Sequence, residues 1–389
     1  MRARRPARAA GLAAALLLGT TAAGCGASDD GSSRGPSGTA TGAASSPASS
    51  PDTAPAATTS AAGASGGTAA RPTTVTPTRK MLDWSPIDGD TDGTLLSNGT
   101  WVLSVPQDGS SFQLEGESGG TGEGYGGAAP RGFTVNDVLL DERWAVVVLQ
   151  DKQEQRPEQA TVYDLAHHGR TWRIDGGSDV PTTTGGSWTL AGDTLVHATV
   201  QKRSYCEARV DLAGRSADVG YCAPPRNGWN SPVLGPGGEA LLTFDDGRPS
   251  CRTVVAVTGT SATPFEGVEK CTGAEGALLE DGAVWSVVPN EHRYEQVRVR
   301  ARTGSGYYDL GPGTNGTLTV CGGAAYWARD PATDGGRAQL MRWDGRDLAV
   351  VYESGRGNAF LGAPVCAGGT IDVSSYSDAG DEAVSATVG

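Results

Sequence analysis

The chain has 389 residues and a formal net charge of −13 at pH 7. A chain this acidic repels phosphate backbones, which argues against nucleic acid as a partner. Its 58 glycines, and the lack of sustained helical periodicity beyond the N-terminus, predict an all-β fold of short strands joined by tight turns.

The first 24 residues have the features of a secretion signal. The basic stretch Arg2–Arg8 precedes the apolar run Ala9–Leu18, which is too short to span a bilayer. The segment ends in Ala22-Ala23-Gly24-Cys25, and small residues before a cysteine resemble the lipobox of bacterial lipoproteins, with alanine in place of the usual leucine. The resemblance implies cleavage before Cys25 and lipidation of its sulfur. An ordinary signal peptide followed by a stray cysteine is the alternative.

Residues 25–77 are mostly Ser, Thr, Ala, Gly and Pro and contain no aromatic residue. Such a segment cannot bury enough apolar area to offset the entropy of ordering it. We therefore predict a disordered tether with a root-mean-square reach of roughly 40 Å. Together with a lipidated Cys25, it would hold the rest of the chain at the extracytoplasmic face of the cell membrane.

Residues 78–389 repeat one pattern seven times, a tight polar or glycine turn followed by a short apolar strand. The turns end near Gly99, Glu142, Gly192, Gly238, Gly282, Gly323 and Gly369. The spacing of these turns is about 41 to 50 residues, and a β-type repeat of that length is typical of a propeller. The pattern predicts a seven-bladed β-propeller.

The first and last repeats are irregular. The seventh repeat supplies the strands Ile371–Tyr376 and Ala383–Val388 but no outer strand, and an open edge strand invites aggregation. The unassigned segment Arg79–Ile87 is the available partner, so we predict that an N-terminal strand closes the last blade. In the first repeat, residues 116–132 are so rich in glycine that we expect a loop in place of the outer strand.

Two short motifs carry a family resemblance. The run Gly235-Pro236-Gly237-Gly238-Glu239-Ala240-Leu241-Leu242-Thr243-Phe244 resembles the S-P-D-G-(K/R)-x-I-x-F repeat of TolB-like propellers. Arg342-Trp343-Asp344-Gly345 resembles the strand end of a WD repeat, although the G-H element of those repeats is absent. The resemblance implies a propeller on a lipoprotein of the kind found in actinobacterial envelopes, and it carries no chemistry.

Six cysteines remain once Cys25 is set aside, and an even number in an exported domain indicates disulfide bonds. Two pairs bracket the third and fourth strands of the third and fourth repeats, and the members of the last pair occupy equivalent positions one repeat apart. The expected bonds are Cys206–Cys222, Cys251–Cys271 and Cys321–Cys366. Free or metal-bound thiols are the alternative.

The segment Asp88-Gly89-Asp90-Thr91-Asp92-Gly93 has the spacing of the first half of a calcium loop. Asp88, Asp90 and Asp92 are the candidate ligands, and calcium is the one cofactor that the sequence proposes. The closing bidentate glutamate is missing, because Gly99 stands at its position. A solvated acidic turn without metal is the alternative.

No catalytic residue is assigned, since the spacing of the four histidines proposes no nucleophile or acid partner. The tryptophans are expected to pack between sheets, with carbohydrate stacking as a second possibility for Trp188 and Trp229. The sequence favours a monomeric, lipid-anchored module that binds or scaffolds an envelope protein or glycan. The alternative is an extracytoplasmic hydrolase or lyase with an acidic site at the propeller axis.

Overall fold

The computed structural model of the protein describes residues 71–116, 124–167 and 169–388. Within these residues the chain folds into seven sheets of consecutive antiparallel strands, which confirms the seven-bladed propeller. The leader, Cys25 and the tether as far as residue 70 lie outside the described residues, so the predictions made for them stay predictions.

Three two-residue strands come first, and the first three blades follow them. The N-terminal strands are β1 (Thr73–Thr74), β2 (Thr78–Arg79) and β3 (Ser85–Pro86). Blade 1 contains β4 (Thr94–Ser97), β5 (Trp101–Val105), β6 (Ser111–Gly116) and β7 (Gly124–Ala128). Blade 2 contains β8 (Phe133–Leu140), β9 (Trp144–Asp151), β10 (Gln159–Asp164) and β11 (Arg170–Ile174). Blade 3 contains β12 (Thr189–Ala191), β13 (Thr194–Gln201), β14 (Ser204–Asp211) and β15 (Ser216–Cys222).

Four more blades complete the ring. Blade 4 contains β16 (Asn227–Gly235), β17 (Gly238–Asp245), β18 (Arg252–Thr258) and β19 (Ser261–Pro264). Blade 5 contains β20 (Gly273–Leu279), β21 (Gly282–Val287), β22 (Gln296–Thr303) and β23 (Gly306–Thr314). Blade 6 contains β24 (Thr319–Cys321), β25 (Ala324–Arg329), β26 (Arg337–Trp343) and β27 (Leu348–Arg356). Blade 7 contains β28 (Phe360–Leu361), β29 (Val365–Ala367), β30 (Thr370–Tyr376) and β31 (Glu382–Thr387).

The helical segments among the described residues are two 3₁₀ turns, Leu165–His167 and Glu291–Arg293. In this part of the chain no helix is long and apolar enough to cross a membrane.

The N-terminal strands form a belt on the outer edges of the last three blades. β1 pairs in parallel with β23 of blade 5, and β2 pairs in parallel with β27 of blade 6. β3 pairs antiparallel with β31 and becomes the outermost strand of blade 7, with Ile87 N donating to Ala383 O at 2.8 Å. The predicted N-terminal closing strand is therefore present. β1 lies upstream of residue 78, so the ordered body begins earlier than the sequence suggested.

The glycine-rich part of blade 1 is a strand, and the expectation of a loop there was wrong. β7 pairs with β6 along its whole length. The ring of Tyr125 on β7 lies 5.9 Å from that of Trp101 and 5.7 Å from that of Tyr163. The backbone ladder requires no side chains, and one tyrosine supplies the packing that the glycines lack.

The connections of every blade fall on two opposite rims, because consecutive strands run antiparallel. The rim that joins first to second and third to fourth strands is here called the turn rim. Its connections are short, for example residues 192–193 in blade 3 and 259–260 in blade 4. The opposite rim, here called the loop rim, carries the second-to-third and blade-to-blade connections, for example residues 175–188 and 288–295.

A separate apolar cluster fills each gap between neighbouring blades. Large tryptophans anchor four of these gaps, as the sequence predicted, and each is nearly or fully buried: Trp144, Trp188, Trp229, Trp285, Trp327 and Trp343. Because burial of apolar area is the main stabilising term in folding, these gaps hold the ring together.

The gap between blades 7 and 1 is the least apolar of the seven. Its buried hydrophobic members are Ile87, Leu95 and Ala383. Polar contacts supplement them, because the buried carboxylate of Asp372 accepts a hydrogen bond from Ser97 N at 2.7 Å. Ile87, which immediately follows β3, supplies one of the three buried apolar side chains at this gap.

Three disulfide bonds join the cysteines in the expected pairs. Cys206–Cys222 connects β14 to β15, with a Cα–Cα distance of 4.0 Å, and Cys251–Cys271 lies in the loops beside blade 4. Cys321–Cys366 connects the inner strands of blades 6 and 7, with a Cα–Cα distance of 5.3 Å. From their strand positions, the first two bonds lie at the loop rim and the third lies at the turn rim.

Candidate functional site

Cavities open along the loop rim. One of about 400 Å³ lies between blades 1 and 2, and one of about 500 Å³ lies between blade 1 and the segment 86–90. Two more, of about 540 and 560 Å³, adjoin each other at blades 5 and 6. Concave surfaces of this size are where proteins bind small ligands or the side chains of partners.

Three exposed apolar side chains lie at separate places on the loop rim, in blades 3, 5 and 7. Val200 near the end of β13, Tyr294 in the 288–295 loop and Phe360 in β28 are 50%, 40% and 51% exposed. The fourth large exposed hydrophobic residue of the described chain, Met81, lies in the belt between β2 and β3. Within the described residues, the turn rim exposes no large hydrophobic side chain.

The propeller axis contains a cavity of about 230 Å³ between the inner strands. Its walls are mostly apolar side chains, among them Leu139, Leu190 and Pro364. Asp141 is the one acidic residue that lines it, and its Oδ2 already accepts a hydrogen bond from Gly192 N at 3.0 Å. The carboxylates required for an acidic site do not converge on this axial cavity.

Asp137 and Glu158 are two interacting carboxylates whose pKa values are raised. Asp137 lines the cavity between blades 1 and 2, and burial raises its pKa to about 7. Burial also raises the pKa of Glu158 to about 7, and the negative charge of Asp137 adds to that effect. Glu158 Oε2 accepts a hydrogen bond from Trp188 Nε1 at 2.8 Å. This bond gives Glu158 a structural role, since Glu158 directly precedes β10 of blade 2 and Trp188 directly precedes β12 of blade 3.

Other buried carboxylates connect blades. Glu239 accepts a hydrogen bond from Arg209, and burial followed by the charge of Glu207 raises the pKa of Glu239 to about 8. Glu275 accepts from Gly316 N at 2.9 Å and from Leu318 N at 3.1 Å, which ties blade 5 to the start of blade 6. None of these carboxylates lines a cavity found at the loop rim.

The three candidate calcium ligands line two adjoining cavities. Asp88 and Asp90 line the cavity beside the segment 86–90, whereas Asp92 lines the neighbouring cavity between blades 1 and 2. Asp90 Oδ1 accepts a hydrogen bond from Asp92 N at 3.0 Å, which is the geometry of a local Asx turn. Among residues 71–116, 124–167 and 169–388, no group of three acidic, histidine or cysteine side chains is arranged to hold a metal.

The described histidines have structural surroundings. His167 Nδ1 lies 2.8 Å from Asp164 Oδ2, and His197 is fully buried with its ring stacked on Trp188 at 4.7 Å. His292 lies in the exposed 3₁₀ turn of the 288–295 loop. These contacts bring no imidazole to a serine or cysteine, so they propose no activated nucleophile.

Carbohydrate stacking on Trp188 or Trp229 does not fit the structure, because the two side chains are only 6% and 1% exposed. Both residues belong to the apolar clusters between blades. The exposed aromatic rings of the loop rim are Tyr294 and Phe360, and the latter stacks on Tyr376 at 4.5 Å.

The 560 Å³ cavity contains residues that the sequence did not single out. Arg329, Arg337 and Arg356 line it, together with Gln339 and the loop 332–336. These arginines stand at the ends of three adjacent strands of blade 6. In the sequence, only an alignment of the repeats strand by strand would have indicated that these three arginines lie together.

No protein-family model and no curated protein matches the chain in sequence. Among solved structures, the chain is similar to the β-propeller domain of the Trilobed protease from Pyrococcus furiosus, which is described as having an open velcro topology. The TM-score is 0.51 at 9% identity, over 76% of this chain and 95% of that domain. At that identity the similarity shows the propeller fold alone.

Two further structures align less well. A prolyl endopeptidase has a TM-score of 0.45 at 12% identity, over 75% of this chain and 46% of the peptidase. A chain of the mitotic checkpoint complex has a TM-score of 0.46 at 10% identity, over 82% of this chain and 97% of that one. Both scores are too low to support an argument about this protein.

Proposed function

We propose that the protein is a lipid-anchored, extracytoplasmic binding module whose loop rim engages a protein or glycan of the cell envelope. The observation that carries the proposal is the placement of Val200, Tyr294 and Phe360. These exposed apolar side chains lie at the loop rim, and the described residues of the turn rim expose no comparable side chain. Exposed aromatic side chains are frequent anchors of binding surfaces.

Two further observations support the location and the class of function. Three disulfide bonds are typical of proteins that fold outside the cytoplasm, and they agree with the predicted leader and lipidated Cys25. The axial cavity is small and mostly apolar, so it offers little support for the alternative of a hydrolase or lyase with an acidic site at the axis.

The binding role is tested with the full chain carrying Cys25→Ser, which removes the site of lipidation and leaves the body intact. The protein is sedimented with envelope fragments of its host, in parallel with Tyr294→Ala/Phe360→Ala and with Met81→Ala as the matched control. We expect saturable binding by the parent and by the control, and at least tenfold weaker binding by the double variant. Equal binding by all three proteins would contradict the role of the loop rim.

The anchor is tested separately. Cys25→Ser in the host should move the protein from the membrane fraction to the soluble fraction or leave its leader uncleaved. The intact mass of the native protein should show acyl chains on Cys25. A mature protein that begins at Cys25 without any acyl addition would rule out lipidation.

A further inference from the structure

Three arginines occupy the loop-rim ends of three adjacent strands in blade 6. Arg329 ends β25, Arg337 begins β26 and Arg356 ends β27. Arg337 lies directly opposite Arg356 in the register of β26 and β27. Like charges directly opposite on neighbouring strands are destabilising, and a bound anion would reduce their repulsion.

The arginines have no carboxylate partner in the part of the chain that the structure describes. Arg329 is half-buried and donates from Nε to the neutral Oε1 of Gln339 at 3.0 Å. Arg337 donates from Nη1 to the backbone oxygen of Ser354 at 2.5 Å. Arg356 is exposed, and its guanidinium group forms no hydrogen bond or ion pair with the described residues. All three guanidinium groups therefore keep donors for a ligand.

Acidic residues that flank these arginines in the chain or in the strand register do not pair with them. Glu353 already accepts hydrogen bonds from Arg79 at 2.9 Å and from Gln339 Nε2 at 3.0 Å. Asp378 Oδ1 accepts a hydrogen bond from Asn358 Nδ2 at 2.8 Å. Asp334 lines the same cavity, is exposed and forms no ion pair there. The cavity wall thus carries three positive charges against one negative charge, in a chain whose net charge is −13.

The shape of the site suits an oxyanion. The cavity of about 560 Å³ is bounded by the three arginines and by the loop 332–336, where Gly335 has a φ of 72°. The planar guanidinium group binds carboxylate and phosphate groups through two parallel hydrogen bonds. An anion between Arg337 and Arg356 would compensate their mutual repulsion, which no group of the described chain does.

We propose that this cavity, here called the arginine pocket, binds an oxyanion of the carboxylate or phosphate type carried by a ligand of the loop rim. The inference rests on the proposed binding function, because it names the chemistry that part of the loop rim recognises.

The test measures binding of inorganic phosphate and of acetate to the full chain by titration calorimetry at constant ionic strength. Arg337→Gln/Arg356→Gln removes two charges from the pocket and relieves the like-charge pair. Arg203→Gln/Arg226→Gln removes two exposed arginines from other loop-rim connections and is the matched control. Circular dichroism spectra show whether each variant is folded. If the double variant is unfolded, the single variant Arg356→Gln is titrated in its place.

The parent and the control should bind at least one of the two anions, and the pocket variant should bind it at least tenfold more weakly. Preference for phosphate or for acetate distinguishes a tetrahedral from a planar ligand group. No binding of either anion by the parent, or equal binding by the pocket variant, overturns the inference. Either of those results leaves the sedimentation test of the proposed function unaffected, since that test uses other residues.

Discussion

The two rims of the propeller are built from the same strands and differ in almost everything else. The turn rim has short connections, and Cys321–Cys366 joins two blades there. The loop rim has the long connections, the cavities, the exposed aromatic rings of Tyr294 and Phe360, and the arginine pocket. The difference is the one expected if, as we propose, the turn rim maintains the ring and the loop rim binds.

The division has a physical origin. A tight turn between paired strands must satisfy its backbone within a few residues, so close packing and glycine conformations dominate the turn rim. A connection that crosses from one blade to the next has a longer path and can carry side chains outward. Cys251–Cys271 fastens one such connection, because Cys271 lies between blades 4 and 5.

The largest expected effect concerns ring closure, which both rims require. Deletion of residues 71–87 removes the belt and exposes the outer edge of β31 and the apolar side of Leu95. We expect a loss of more than about 5 kcal/mol in the free energy of unfolding, or no cooperative unfolding at all. Thermal unfolding monitored by circular dichroism measures this.

Deletion of residues 71–75 alone is the control, because it removes only β1 from the edge of blade 5. Its effect should be several-fold smaller. An unchanged melting temperature after the longer deletion would mean that β3 does not close the ring.

The next effect compares disulfide bonds of the two rims. Cys321→Ser/Cys366→Ser opens a loop with a sequence separation of 45, and Cys206→Ser/Cys222→Ser opens one of 16. The chain-entropy model gives about 4 kcal/mol for the first and about 3 kcal/mol for the second. Urea unfolding of the two variants tests the order. A larger loss at Cys206–Cys222 would show that the loop rim depends on its staple more than the turn rim does.

Two glycines, one at each rim, allow a more direct comparison of the two rims. Gly322 at the turn rim has a φ of 52°, and a Cβ there would lie 2.3 Å from Val388 O. Gly335 at the loop rim has a φ of 72°, and a Cβ there would meet no atom within 4 Å. Alanine should cost about 1 kcal/mol at Gly335 from backbone strain, and about 3 kcal/mol at Gly322, where steric overlap is added. Equal losses in denaturant unfolding would remove this distinction between the rims.

The buried carboxylates predict a dependence of stability on pH. The pKa values of Glu158 and Glu275 are raised to about 7, mainly by burial, so the folded state retains protons that the unfolded state loses above about 4.5. The free energy of unfolding should therefore fall as pH rises from about 4.5 to 7. Glu158→Gln keeps an acceptor for Trp188 and should reduce this fall by on the order of 2 kcal/mol. An identical pH profile for the variant and the parent would show that Glu158 is not buried as described.

The smallest expected effect is that of calcium. Because no three acidic side chains of the described residues are arranged to hold a metal, millimolar calcium should change the melting temperature by less than about 1 °C. Differential scanning calorimetry with calcium and with chelator measures this, with Asp90→Asn as the control. A rise that Asp90→Asn abolishes would instead establish the site that the sequence motif suggests.

The sequence predicts the ring well because repetition encodes it. Seven turn-and-strand units specify the blades, and the equivalent positions of Cys321 and Cys366 in neighbouring units indicate their pairing. β1 and β2 were missed because two-residue strands that pair through backbone alone leave no side-chain pattern. β7 was missed for a related reason, since its ladder forms in spite of its glycines.

The candidate site was harder to predict than the fold. Arg329, Arg337 and Arg356 lie on three strands, and the register of those strands brings them together. A one-residue shift in either ladder would place alternate side chains on the opposite face. The exposure of Phe360 and the burial of Trp188 likewise depend on how far each loop folds over the neighbouring blade, which spacing does not encode.

The central claim, that the loop rim binds and the turn rim maintains the ring, is tested most directly by photo-crosslinking in living host cells. A benzoylphenylalanine replaces Ala332 at the loop rim or Ser305 at the turn rim, both of which are exposed. Irradiation should yield a larger covalent adduct from position 332 and none from position 305. Adducts from position 305 with none from 332 would contradict the assignment of binding to the loop rim.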